Sequence, residues 1–257
     1  MKLNNPEDPA ELAHALERRK SGLHWERLPG LTPRAATIID VGAGGGVRSF
    51  YEAFPTARFV IIDALEENRP KLEKKTAELG IDCEIHIVGV GAKPGKLEMN
   101  VPAAGKTGKS SFLERSGAFS ESETRTREVA IQRLDDIVPE RPGAFGLKID
   151  AEGFEKEVLL GATRVLKQCN WVVCEASMSP RFVGDPLFAG IYRILDKAGF
   201  VFRDFIDLTR QGGGDLRRID AVFVKAKYVN YPRERREKRI ANRAKSGIGG
   251  LLARVGV

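Results

Sequence analysis

From Ala36 onward, short runs of β-branched and other apolar residues alternate with longer amphipathic stretches, a pattern that restricts the chain to a sheet whose strands are joined by helices. The strand-like runs are ATIIDV, RFVIID, EIHIVGVG, FGLKID and WVVCEA, and helical patterns at 47–54, 66–80, 155–168 and 186–199 separate most of them. Each strand, helix, strand unit is a parallel crossover, so the sheet is expected to be mostly parallel with helices on both faces. The last two strand-like runs, FVFRDFIDL and RRIDAVFVKAKY, are joined by TRQGGGDL with no helix between them. This predicts an antiparallel hairpin at the end of an α/β body.

Three stretches stand outside that rhythm. Residues 1–34 carry a helical pattern around Pro9 to Lys20 and a link punctuated by Pro29, Gly30 and Pro33, read as a cap or lid over the entrance to a main domain at 35–231. Between Lys96 and Arg133 the polar segment VPAAGKTGKSSFLERSGAFSESETRT precedes a strand-like REVAIQRL, and a long irregular insertion of this kind is read as a binding loop. Residues 232–257 hold eight Lys/Arg against Glu234 and Glu237, so six units of the formal net charge of +7 belong to this tail and only +1 to the other 231 residues. The body therefore offers no compositional case for nucleic acid. The tail, basic and then weakly apolar at Ile248, Leu251, Leu252 and Val255, is read as a solvated helix, a peripheral membrane contact or a contact in a homo-oligomer.

The remaining composition narrows the class. No stretch approaches the roughly 18 apolar residues of a membrane span, and the first twenty residues lack the apolar core of a signal peptide. Cys83, Cys169 and Cys174 have neither a disulfide-framework count nor a metal-ligand spacing. A cytoplasmic protein with reduced thiols is expected, peripheral at the inner membrane face if the tail binds lipid.

The first chemical signal is IIDVGAGGG at 38–46, an apolar strand running into a glycine-rich turn. Gly42, Gly44 and Gly46, with Ala43 between the first two and Asp40 before them, read GxGxG; a dinucleotide fingerprint would need glycine where Val47 stands. The variant suits S-adenosylmethionine, which has hydrogen-bonding ends and no pyrophosphate to seat on a helix. RFVIID then ends on Asp63, followed by Ala64, about twenty residues beyond the glycines, where a carboxylate can accept both hydroxyls of a ribose. Val90 and Gly91, after the next strand, mark the place for an adenine ring. His86, in EIHIVGVG, reads as packing on a sheet face, and no histidine cluster forms with His14 and His24.

The second signal is LKIDAEGFEKEVLLGA at 147–162, where Lys148, Asp150 and Glu152 alternate at period two as a strand leaves the sheet. All three are expected to point toward the carboxyl edge, where open α/β sheets bind ligands. A salt-bridged strand end is the plainer alternative.

With these segments the chain resembles the FkbM family of methyltransferases. IIDVGAGGG looks like its glycine motif, LDD at 134–136 like the short motif before its central strand, and LKIDAEGFEKEVLLGA like its KIDxEGxE…GA signature. The glycine run at 42–46 departs from the commoner pattern, which carries Asn near Ala43–Gly44. The resemblance spans roughly residues 36–205. It implies a Rossmann-like methyltransferase fold, S-adenosylmethionine as cofactor, and most often a hydroxyl acceptor on a sugar, glycolipid or natural product. Cofactor contacts are then expected from Asp40, Gly42, Ala43, Gly44, Gly46, Asp63, Ala64, Val90, Gly91 and Asp150. A hydroxyl nucleophile benefits from a base, and Asp150, Glu152 and Glu175 are the candidates, Asp150 foremost, with Glu152 or Lys148 orienting. Clustered carboxylates could hold a divalent ion, but no metal-ligand set stands out, so none is expected. Methylation of a peptide nitrogen, and a non-catalytic protein that only binds the cofactor, remain open alternatives.

Overall fold

The computed structural model describes residues 24–102, 107–116, 124–210 and 214–229. Packing divides the chain into two units, 1–225 and 226–257, and of the second only the short turn Ala226–Tyr228 is a described element. The basic tail at 232–257 and the helical pattern at Pro9 to Lys20 lie outside the described residues. Among the described residues no helix is long and apolar enough to cross a membrane.

The first unit is built on a seven-stranded sheet of β1 (Thr37–Val41), β2 (Arg58–Asp63), β3 (Cys83–Ile87), β7 (Phe145–Ile149), β8 (Cys169–Ser177), β9 (Phe200–Arg210) and β10 (Leu216–Lys225), ordered β3-β2-β1-β7-β8-β10-β9. Pairing is parallel except along β10, which runs against both β8 and β9. This is the Rossmann-like α/β fold with its C-terminal hairpin. From β1 the chain winds outward through β2 and β3, then crosses back to β7 and β8 on the other side. The order reverses between β1 and β7, and a crevice opens at their carboxyl ends.

Period-two alternation sends side chains to two faces, each covered by helices. Ile39, Val41, Leu147, Ile149, Val172 and Cys174 join one buried cluster with the helices α4 (Leu134–Ile137), α5 (Glu155–Leu160), α6 (Thr163–Gln168) and α7 (Leu187–Lys197). On the other face Phe59 packs edge-on to Phe50 and Tyr51 of α2 (Arg48–Glu52), and Trp171 stacks on Phe54. The expected helix at 155–168 is two helices, because Gly161 interrupts it; a Cβ there would fall 2.1 Å from the carbonyl oxygen of Gly91. Asp135 of the LDD motif caps the second helix, its carboxylate accepting the amides of Arg164 and Val165 at 2.9 Å.

Two expectations are corrected here. The insertion after Lys96 begins as strand: β5 (Gly95–Pro102) pairs antiparallel with β6 (Thr124–Gln132), the strand expected at its end, and β4 (Gly89–Val90) completes a separate three-stranded sheet. Residues 24–34 do not border the crevice. Trp25 and Leu28 are buried, with Trp25 against Phe50 at 4.8 Å, and the segment beyond them lines a hollow with 53–57 and Ala144, before the amino ends of β2 and β7. Burying two large apolar side chains anchors 24–34 away from the cleft, and the rest of the segment read as a cap, residues 1–23, lies outside the described residues.

One polar contact crosses the switch point. Asp40 on β1 is 0% exposed and Lys148 on β7 is 3% exposed, in register with each other, and Lys148 Nζ donates to Asp40 at 2.8 Å. Tyr51 OH donates to the other oxygen of Asp40 at 2.9 Å. Burial works against a charged Lys148, but the charges of Asp40 and Asp150 outweigh it and hold the ammonium protonated. Lys148→Met leaves a buried carboxylate unpaired and is expected to lower unfolding free energy in denaturant by about 3–5 kcal/mol. Adding Asp40→Asn, which keeps an acceptor for Tyr51, is expected to restore most of that loss; a single variant as stable as the parent would refute the pair as a structural tie.

Candidate active site

The crevice holds a cleft of about 220 Å³, open to solvent and somewhat under the roughly 300–1,000 Å³ usual for small-molecule sites. Its floor is the turn after β1. Gly42 has φ +73°, and a Cβ there would sit 1.8 Å from the carbonyl oxygen of Asp150, so the turn needs glycine both for its backbone and for contact with the chain leaving β7. Gly44, at φ +57°, faces open space, where a Cβ would meet nothing within 4 Å. Lys75, which the sequence reading passed over, reaches from α3 (Arg69–Leu79) and donates to the carbonyls of Gly45, at 2.7 Å, and Gly46. Lys75 holds those carbonyls, and the amides of Gly42, Ala43, Gly44 and Gly46 are spent on Ile62, Asp63 and Ala43, so what the turn offers a ligand is the open space beside Gly44.

On the β2 side Asp63 is 7% exposed and receives three protein hydrogen bonds. Oδ1 accepts from Leu65 N at 2.9 Å and Asn68 Nδ2 at 2.8 Å, and Oδ2 accepts from Gly44 N at 2.7 Å. Burial raises its carboxyl above the ordinary range while these donors pull it back. Of about four lone-pair positions one is left, on Oδ2, so Asp63 has room for one ligand hydroxyl and not for two. Ala64 and Leu65 continue this wall, which Val88, Gly89, Val90, Met99 and Phe112 extend with apolar surface. Thr107, Gly108 and Ser110 close over the cleft from the insertion, and Thr107 is tied to Asn68 by a hydroxyl donation at 2.9 Å.

On the β7 side Asp150 and Glu152 line the cleft, but Lys148 does not. Period two ends with the strand at Ile149: Lys148 faces Asp40, and Glu152 lies in the following turn at φ +46°, a strained conformation for a non-glycine residue. That turn is tied on several sides. Glu155 accepts the amides of Ala151 and Gly153 at 3.0 Å, and Ser111 Oγ donates to the carbonyl of Glu152 at 2.6 Å. Glu175 is buried below, accepting from Arg181 at 2.5 Å and from Arg218, and stands outside the lining. Asp40, Gly46 and Gly91 are also outside it: Asp40 is consumed by Lys148 and Tyr51, while the Gly91 amide bonds Gln132. His86 on β3 does not line it either.

Asp150, Glu152 and Glu175 each bring an oxygen within 4.8 Å of the others, a juxtaposition the sequence reading did not foresee as a ligand set. The countercharge of the two glutamates comes from arginine: Arg181 donates to Glu175 and, at 2.6 Å, to Glu152, and Arg115 donates to Glu152 at 3.3 Å. Burial, then the nearby Glu175, raises the Asp150 carboxyl well above its usual range against the opposing pull of Lys148. Buried Cys174 has its thiol pushed up in the same way.

Burial and the charge of Glu175 push Glu155 from an ordinary 4.5 up to about 8, and burial pushes Asp220 up to about 7. Carboxyls raised on folding contribute stability that is fully present below their unfolded pKa and is lost as pH rises through the folded value. Unfolding free energy is therefore expected to fall between pH 5 and 8, and Glu155→Gln, which keeps an oxygen for the two amides, is expected to flatten that fall. Equal slopes in denaturant titrations across this range would contradict the assignment.

A family model described as the Methyltransferase FkbM domain matches residues 40–202. Among solved structures, Methyltransferase FkbM from Methylobacillus flagellatus KT superposes with a TM-score of 0.50 at 14% identity, covering 81% of this chain and 50% of that one. The chain thus spans about half the length of that neighbour, and the likeness is one of fold. Magnesium protoporphyrin IX methyltransferase from Synechocystis PCC 6803, solved with bound SAM, gives a TM-score of 0.42 at 12% identity over 88% of this chain and 86% of that one. An O-methyltransferase family 2 protein from Planctomyces limnophilus DSM 3776, in complex with apigenin, gives 0.44 at 9% identity over 84% and 61%. No curated protein matches.

Proposed function

This chain belongs to the FkbM methyltransferase family, and we propose that it is an S-adenosylmethionine-dependent O-methyltransferase acting on a hydroxyl of a sugar, glycolipid or natural product. The observation that carries the reading is one cleft with Asp63 on one side of the glycine turn of β1 and Asp150 on the other. The residues fit the cofactor. Gly44 leaves room for a ligand against the turn, Asp63 keeps a lone pair for a ribose hydroxyl, and Leu65, Val88, Val90, Met99 and Phe112 offer apolar surface to a flat ring.

Bound there, S-adenosylmethionine supplies an electrophilic methyl carbon on a sulfonium whose sulfur leaves as a thioether. The protein's share of the work is positioning and proton removal. Of the two carboxylates on the β7 side of the lining, Asp150 is the one without an arginine on it, since Glu152 is held by Arg115 and Arg181. Its raised pKa makes the ionised form a stronger base for the acceptor's hydroxyl proton, and activity is expected to rise with pH as Asp150 loses its own proton. Glu152 and Lys148 orient rather than react, the first through its arginines and the second through Asp40.

Asp63→Ala is expected to weaken S-adenosylhomocysteine binding in calorimetry by about ten- to a hundredfold, the worth of a hydrogen bond to a charged acceptor. Because Asp63 also ties Gly44, Leu65 and Asn68, Asp63→Asn serves as a fold-preserving check, and unchanged affinity in both variants would remove the cofactor from this wall. Asp150→Asn is expected to cost about a hundred- to ten-thousandfold in turnover with cofactor affinity within a few-fold. A variant retaining more than half the rate would move the base to Glu152. Mass spectrometry of the product separates methylation of oxygen from methylation of nitrogen.

A further inference from the structure

The insertion carries two adjacent serines, Ser110 and Ser111, and the backbone sends their side chains in different directions. Ser111 pairs with Asn100 of β5, its amide donating to the Asn100 carbonyl at 3.1 Å and its carbonyl accepting from the Asn100 amide at 2.8 Å. Successive side chains alternate in extended backbone of this kind. Ser110 and Phe112 accordingly line the cleft, while Ser111, outside the lining, reaches the carbonyl of Glu152. Ser110 follows the short turn Thr107–Lys109, and its amide donates to the carbonyl of Thr107 at 3.1 Å. Thr107 donates to Asn68 at 2.9 Å and Asn68 to Asp63 at 2.8 Å, so one turn of chain and two hydrogen bonds connect Ser110 to the acid of the β2 wall.

Ser110 is 9% exposed, and its Oγ has no hydrogen-bond partner among the described residues. A buried hydroxyl is costly to leave unpaired, and native proteins leave few so. Serine exchanges readily between staggered rotamers, so the hydroxyl can turn into the cleft that its side chain lines. Thr107, the other hydroxyl of the lining, has its proton engaged by Asn68, whereas Ser110 keeps a proton and lone pairs alike. An adenosyl group brings the complementary need. Its ribose has two neighbouring hydroxyls, and Asp63 has a lone pair for one of them. The amides of Gly42, Ala43, Gly44 and Gly46 are engaged within the protein, and Leu65, Val88, Val90 and Met99 are apolar, which leaves the second hydroxyl to the roof.

We infer that Ser110 is a cofactor-binding residue, its Oγ hydrogen-bonded to the ribose hydroxyl that Asp63 does not hold. This rests on the proposed use of S-adenosylmethionine and adds a contact from the insertion. Discrimination of ribose from deoxyribose then falls to two residues, an acid on β2 and a hydroxyl in the roof. The same roof holds the Glu152 turn through Ser111, so the cofactor and the acidic wall share one support.

The test is calorimetry on the full chain with S-adenosylhomocysteine and its 2′-deoxy and 3′-deoxy analogues, a cycle that pairs each ligand hydroxyl with the side chain holding it. The parent is expected to bind both deoxy analogues more weakly than S-adenosylhomocysteine. Ser110→Ala is expected to weaken S-adenosylhomocysteine by about three- to tenfold, the worth of a neutral hydrogen bond. It is expected to weaken one deoxy analogue by the same factor and to leave the other, which lacks the hydroxyl Ser110 holds, within about twofold of the parent. Ser110→Cys, close in size and a far weaker hydrogen-bonder, is expected to behave like Ser110→Ala. Failure of S-adenosylhomocysteine to bind the parent would overturn the methyltransferase reading itself. Normal binding by the parent, with both variants equal to it or with all three ligands weakened alike, would overturn the Ser110 contact alone. Should circular dichroism show neither variant folded, the parent decides: weaker binding of both deoxy analogues upholds the pairing, and undiminished binding of either overturns it.

Discussion

The ion pair of Asp40 with Lys148 joins β1 to β7 where the strand order reverses, and both ligand-facing turns hang from it. Two residues beyond Asp40 the glycine turn begins, and two beyond Lys148 stands Asp150. Gly42 packs against the carbonyl of Asp150, so any slip between β1 and β7 would move the floor and the acidic wall of the cleft together. A buried ion pair is a weak source of net stability, because desolvating two charges offsets most of their attraction. Its effect here is on register: a one-residue slip would strand both charges against apolar neighbours.

The turn after β7 shows how a strained loop is kept in one conformation. Glu152 has a positive φ that costs on the order of 1–3 kcal/mol. Glu155 holds the amides on either side of it, and Ser111 holds its carbonyl, so the strain is held by at least three hydrogen bonds from different segments. Ser111 belongs to the insertion, whose neighbouring residues also close the cleft. The insertion therefore shapes both the roof over the β2 wall and the acidic wall opposite.

Electrostatically the cleft has two unlike halves. Around Asp63 a single carboxylate accepts three amide donors, keeps one lone pair and is bordered by apolar residues, a setting for hydrogen-bonding and flat groups. Around Asp150, carboxylates and guanidinium groups crowd together at low solvent exposure, and their mutual charges move protonation equilibria in both directions: Asp150 up, Glu175 down once the two arginines outweigh its burial. Titratable groups pushed apart in one small volume are the arrangement that proton transfer needs.

Much of this was legible in the residues. Alternating strand and helix patterns determined an α/β sheet, the Gly-rich link between two helix-free runs determined the hairpin, and the glycine turn, Asp63 and the 147–162 signature marked the cleft. Those features are local, since periodicity and turn chemistry depend on near neighbours along the chain. What the tertiary structure alone decided is which charges meet. Lys148, Asp150 and Glu152 look equivalent at period two, yet the first is turned into the sheet by Asp40, 108 positions away in sequence, and the third leaves the strand's alternation altogether. Arg115, Arg181 and Arg218 carry no sequence mark, because a pairing between segments 29 to 43 residues apart or more exists only once the sheet brings them to one edge. Composition and spacing determined the scaffold and the position of its cleft; the fold decided the protonation and partners of each side chain in it, because charge interactions depend on distance in space and on burial, and neither is written along the chain.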